Sequence, residues 1–275
     1  MAIEWGFTVI DAHLHLWNPL VLEYFWLEPL SPLYRAFGPE TFELERRAAG
    51  VRQAVFVQAS HDPRENRMAL EWAKQFPWIA GVVGWVDLEA DDLNAQLELL
   101  TKEPRFKGVR HLVHTEADPR WLLRASVGRG LETLAEHGLS FDLVLRPEQF
   151  ATVSDVVAAH PNLTFVLDHL GYSTTDQTFS TWARTLDRLA MRRNVTAKIS
   201  ELPQLAAAQA IWVALQCFGP NRLMLGGGYP ICTQTASYRA TLETLFEALR
   251  HLEANALNRI TTENASRIYR LEPLS

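Results

Sequence analysis

The chain has 275 residues, 48% of them hydrophobic, and a formal net charge of −6. A composition this apolar supplies a large core and excludes a disordered chain, while the acidic balance argues against nucleic acid or an anionic membrane as partner. No apolar run reaches spanning length, Met1-Ala2-Ile3-Glu4-Trp5 lacks the basic start of a signal peptide, and Cys217 and Cys232 are too few for a disulfide scaffold, so the expectation is a soluble, cytoplasmic protein.

The first apolar stretch, 9–12, leads into His13-Leu14-His15. A strand's period of two places both imidazoles on one face, where a divalent metal or a substrate oxygen would meet them; for so short a motif, two histidines satisfied by carbonyls fit equally well. Residues 18–42 are Pro-rich and aromatic, with Tyr24, Phe25, Trp26, Tyr34 and Phe37. Water would not tolerate such bulk on a linker, so this segment is expected to cover an active site.

Further strands are expected at 54–58, 79–86, 108–112, 140–145, 163–167, 195–199 and 223–225, mostly about 25 to 35 residues apart, the length of a βα unit. Between them run helical patterns. Asp62-Pro63-Arg64-Glu65 reads as an N-cap, a first-turn proline and a capping-box glutamate, followed by Ala69, Trp72, Ala73 and Phe76 on one face. Leu93, Leu97 and Leu100 follow, then Leu131, Leu134 and Ala135 closed by Gly138. Phe150, Val153 and Val157 come behind Pro147, and Trp182, Leu186 and Leu189 form the next stripe. Leu205, Ala208, Trp212 and Leu215, and finally Tyr238, Leu242, Leu245 and Leu249, complete the series, all expected to face the core.

Eight strands alternating with helices specify a (β/α)8 barrel or a doubly wound open sheet. The open sheet is favoured by a glycine-rich phosphate loop after the first strand, and His-x-His with Trp17-Asn18-Pro19 stands there instead. The expectation is therefore an α/β barrel in one domain over 1–275, with its chemistry at the C-terminal strand ends. Those ends carry Gln58, Trp85, Arg110 to His114, Asp142 to Arg146, Asp168-His169, Lys198 to Glu201 and Gly226-Gly227-Gly228-Tyr229. A third strand-end histidine, His169, is hard to assign to packing; Asp168 orients a histidine ring or points outward. Arg110 and Arg146 suit a carboxylate or hydroxyl-rich ligand as well as they suit ordinary salt bridges. Gln58, Trp26 and Tyr229 are the further candidates for substrate contact.

Ile10-Asp11-Ala12-His13-Leu14-His15-Leu16-Trp17, Gly81-Val82-Val83-Gly84-Trp85-Val86-Asp87-Leu88, Lys107-Gly108-Val109-Arg110-His111, Leu167-Asp168-His169-Leu170-Gly171 and Asn264-Ala265-Ser266-Arg267-Ile268-Tyr269 together resemble the amidohydrolase-superfamily lactonases, hydrolases of sugar and dicarboxylate lactones, over nearly the whole chain. The resemblance implies a distorted (β/α)8 barrel that opens a lactone with water. Within the family some members use one divalent metal, zinc being the expectation here, and others polarise the carbonyl with histidines alone. It also implies that His13, His15 and His169 hold the metal or the lactone oxygen and that Arg110 grips the substrate, a small lactone or carboxylate. A homo-oligomer is compatible with it. The eighth strand departs from the pattern: Gly228 stands where the family carries the aspartate that acts as base. Glycine accepts no proton. An inactivating replacement, a divergence in which Glu201 or Glu116 has taken over, and a binding protein without turnover are the three explanations. Under the first, a carboxylate restored at 228 would have room to reach the water. A metal-dependent decarboxylase on the same scaffold is the alternative reaction.

Overall fold

The computed structural model describes residues 5–172 and 178–273, so the first four residues of the N-terminal reading lie outside it. Eight parallel strands, β1 (Ile10–Leu14), β2 (Gln53–Val57), β3 (Ile79–Gly84), β4 (Phe106–His111), β5 (Ser140–Leu143), β6 (Thr164–Leu167), β7 (Val195–Ile199) and β8 (Leu223–Leu225), neighbour one another in chain order. All eight expected strands form, within a few residues at their ends. The ring closes just beyond β8, where Leu14 bridges Tyr229: His15 N–H donates to the Tyr229 carbonyl (2.8 Å) and Gly228 N–H to the His13 carbonyl (2.9 Å). The result is a (β/α)8 barrel whose seam is made by irregular chain. Covered on both faces, most strands are buried throughout, which is why they read as apolar runs rather than as alternation.

Helices α1 (Pro39–Ala48), α2 (Pro63–Gln75), α3 (Leu93–Leu100), α4 (Ala125–Glu136), α5 (Phe150–Ala159), α6 (Phe179–Ala190), α7 (Gln204–Phe218) and α8 (Tyr238–Leu249) surround the strands. Asp62 caps α2 by accepting from the Arg64 amide at 2.8 Å. Glu65 is no capping-box residue: it turns inward, fully buried, and Oε2 accepts from the amides of Ala59 (3.0 Å) and Ser60 (3.1 Å), bracing the chain after β2.

The expected inner stripe of α7 is also corrected. Leu205 is fully exposed and Trp212 is 58% exposed, while Ala207, Ala210, Ile211, Ala214 and Phe218 face the core. Small residues let this helix lie close against its neighbours, so the bulky ones were the wrong guide. Among the described residues no helix is long and apolar enough to cross a membrane.

Candidate active site

A bulge sets the first strand apart. Between Asp11 and Leu14 the register of β1 against β2 slips by one residue. In a regular strand Asp11 and His13 would share a face. Here Asp11 instead accepts from Tyr238 Oη of α8 (2.7 Å), from Gly227 N–H (2.8 Å) and from His13 N–H (2.8 Å), while the His13 ring enters the barrel. Burial raises the Asp11 carboxyl to about 6.

His13 Nε2 and His15 Nε2 meet at 3.0 Å. His15 Nδ1 lies 2.7 Å from the Val57 carbonyl, which only accepts, so Nδ1 carries the proton and Nε2 presents a lone pair. The partner of His13 Nδ1 is Lys198, fully buried on β7, at 3.2 Å. The lysine ammonium donates to Asp142 Oδ2 (2.6 Å) and His13 Nδ1, and Asp168 Oδ1 lies 3.0 Å away as an ion-pair partner. Accepting there leaves the His13 proton on Nε2, which donates toward His15. Asp168 Oδ1, 3.4 Å from the same Nδ1, offers the opposite arrangement, with Nδ1–H donating and Nε2 free. Asp168 thus orients a histidine ring and does not face outward. Burial pushes its carboxyl up, but Lys198, His13 and Arg110 outweigh burial and hold it well below the usual carboxylate range.

Arg110 Nη1 donates to Asp168 Oδ2 (3.1 Å) and Nε to Gln58 Oε1 (3.0 Å), and the Gln58 carbonyl takes a further N–H. Gln58, expected to touch substrate, is fully buried and acts instead as the clamp that sets Arg110.

The ends of β6 and β7 supply the remaining parts. His169 (φ 55°) and Glu201 (φ 49°) both have left-handed backbone, a conformation costing about 1 kcal/mol or more outside glycine. His169 Nδ1 pairs with Ser200 Oγ at 2.9 Å, turning Nε2 toward Glu201 Oε2, 3.7 Å away. Glu201 Oε1 lies 3.8 Å from His13 Nε2 and 4.0 Å from His15 Nε2. It is buried and has no hydrogen-bond partner. Burial raises this carboxyl to about 8. Burial also holds His13 and His15 well below the ordinary histidine value and lowers His169 to about 4, so all three imidazoles are neutral.

Gly228 adopts φ +64°, and a Cβ built on it would collide with Glu201 Cγ and come within 2.9 Å of Oε1. The room expected for an aspartate at 228 is therefore filled. Glu116, the other carboxylate considered from sequence, pairs with His111 Nε2 at 2.6 Å and does not line the pocket.

A cavity of about 220 Å³ opens at this point, lined by His15, Trp26, Ala59, Arg110, Leu112, His114, Val144, His169, Glu201 and Ile231. Trp26 from the 18–42 segment forms one wall, held by Nε1–H donating to the Ala59 carbonyl (2.6 Å). Tyr229 does not contribute: it is buried among Phe37, Phe42 and Tyr238, because the seam faces its ring outward into aromatic core. Lys198, Asp142 and Ser200 are supporting residues to which sequence reasoning gave no role. A lysine inside an apolar strand, Val195-Thr196-Ala197-Lys198-Ile199, was the available signal.

The donor set fits a divalent cation. His13 Nε2, His15 Nε2 and Glu201 Oε1 lie within 4.8 Å of one another, and nitrogen–carboxylate sets of this kind suit zinc. The unpartnered Oε1 is the orphan such an ion would satisfy.

Comparison with known proteins agrees with this architecture. The chain is 29% identical to L-fucono-1,5-lactonase of Burkholderia ambifaria over 278 residues, covering 96% of each chain. It is 30% identical to L-fucono-1,5-lactonase of Burkholderia multivorans, covering 85% of this chain and 86% of the relative. A crystal structure of an amidohydrolase from Burkholderia multivorans with bound Zn superposes with a TM-score of 0.90 at 28% identity, over 96% of this chain and all of the other. A profile of the amidohydrolase family matches residues 10–271, from the bulged first strand to the tail beneath the barrel, and the chain belongs to that family.

Proposed function

We propose that this protein is a lactonase that opens a hydroxyl-bearing sugar-acid lactone with water. The carrying observation is the convergence of His13, His15 and His169, all held neutral, with Arg110 at a cavity small enough for one sugar ring. His15 directs a lone pair into the site, so the donors that polarise a carbonyl and stabilise the oxyanion formed when water adds are Nε2–H groups of neutral His13 and His169, a contribution typically worth about 3–4 kcal/mol per donor. Arg110, fixed by Asp168 and Gln58, is poised for the ring hydroxyls or a carboxylate, and Trp26 offers a flat apolar wall to the sugar's carbon face. The two fuconolactonase relatives support the same substrate class.

His13, His15 and Glu201 are the residues that would hold a divalent cation, which would add Lewis-acid polarisation of the carbonyl and a more acidic water. We place the enzyme in the cytoplasm, in line with its two free cysteines.

The test is a pH-indicator assay on a panel of sugar and dicarboxylate lactones. One proton should appear per ring opened, with five- and six-membered sugar lactones fastest. Release of carbon dioxide from an aromatic acid, or tight lactone binding without turnover, would sink the proposal.

A further inference from the structure

We propose that Glu201 is the catalytic carboxylate of this barrel, delivered from the end of β7 into the volume that Gly228 leaves free beyond β8. Three observations on different residues carry this. The Glu201 carboxylate is the acid group that faces all three site histidines, at 3.7 to 4.0 Å. Its Oε1 is buried with no partner, as expected of an atom whose partner arrives with substrate and water. The backbone at 201 is held left-handed, and the glycine at 228 accommodates the resulting side chain, since any Cβ there meets Glu201 Cγ. The other acids near the histidines are engaged elsewhere: Asp168 by Lys198 and Arg110, Asp11 by Tyr238 and two amides, Asp142 by Lys198 and Tyr269.

The step resting on the lactonase reading is balanced as follows. With Glu201 in its carboxylate form, one oxygen of that group takes a proton from water as the water oxygen bonds to the lactone carbonyl carbon, and the carbonyl π pair moves onto its oxygen toward an imidazole Nε2–H of His13 or His169. On collapse the C–O ring bond breaks, and the departing ring oxygen takes the proton from Glu201. Water is consumed, and the hydroxy acid leaves with its carboxylic proton released to solvent.

Four variants and two readouts test this on the full chain. Glu201→Gln, nearly isosteric, should lower kcat about 10² to 10⁴-fold on the best lactone with KM little changed and the same thermal midpoint. A rate within about threefold of the parent's would overturn the assignment. Gly228→Asp alone should reduce activity, because the two side chains compete for one space. Combined with Glu201→Gly it should recover at least tenfold over Glu201→Gly alone; no recovery would overturn the shared role of the two positions.

Zn²⁺ affinity, measured by chelator competition without substrate, is the second readout. Glu201→Gln should weaken it at least tenfold. Should the parent hydrolyse no lactone in the panel, the lactonase reading fails by itself. The Zn²⁺ result then decides for Glu201: weakening retains it as the site's carboxylate, and unchanged affinity rejects it.

Discussion

At the scale of single residues, the barrel interior turns on Lys198. Its ammonium hydrogen-bonds Asp142 and His13 and forms a close ion pair with Asp168 at 3.0 Å. Lys198→Met should therefore destabilise the fold by roughly 3–5 kcal/mol in urea unfolding, because Asp142 and Asp168 are left buried beside an apolar side chain. The same variant removes the donor on His13 Nδ1, and the His13 proton should move to Nδ1, opposite Asp168, which ¹⁵N chemical shifts of the ring report directly. Glu65 sets a pH dependence of the opposite kind to the familiar surface carboxylate. Burial raises its folded value to about 8 from the ordinary 4.5. The folded protein then holds a proton that the unfolded chain releases, so this stabilisation is complete below about 4.5 and is lost as pH rises through about 8. Thermal midpoints should fall between about pH 4.5 and 8, and Glu65→Gln, which keeps a neutral group in place, should flatten that decline. An equal slope in both proteins would show that Glu65 is ionised in the fold.

At the scale of elements, some signals were legible and others were not, for physical reasons. The His-x-His strand and the Asp168-His169 turn stood out because imidazoles seldom end apolar runs, and eight such runs at βα spacing fixed the barrel. The bulge in β1 left no trace, since it changes which face a residue occupies without changing residue type. Glu65 matched a capping box by spacing, yet two buried amides after β2 claimed it. Arg110 was picked for its charge, whereas Gln58, which aims it, was mistaken for a substrate contact. Position 201 entered as one of two replacement acids, and local geometry decided between them, with Glu116 drawn to His111. In α7 size misled: Leu205 and Trp212 are outward while Ile211 is buried. Ile211→Ala should thus cost about 2–5 kcal/mol, and Trp212→Gln should stay within about 0.5 kcal/mol, both by denaturant midpoint. The reverse order would mean that the outer face of α7 is covered in solution.

For the whole molecule, closure is the vulnerable property. The ladders from β1 to β8 are continuous, but the ring is completed by Asp11 and the two backbone bonds beside Tyr229 rather than by a long strand pair. Asp11→Ala should raise hydrogen exchange at the amides of His13, His15, Gly227 and Gly228 while β3 to β5 stay protected. Uniform loss of protection would show that the barrel opens only as a unit. The crowding between Glu201 and Gly228 reaches beyond this one chain, into how such a barrel changes over generations. Two sites 27 positions apart in sequence that share one volume cannot drift independently. A lineage with an acid at 228 gains nothing from a glutamate aimed from 201 until 228 has shrunk, and shrinking first removes the acid. The order of substitution is thereby constrained to a narrow passage, and surveys of related chains should find small residues at 228 wherever 201 carries the acid, with the double-acid pairing depleted.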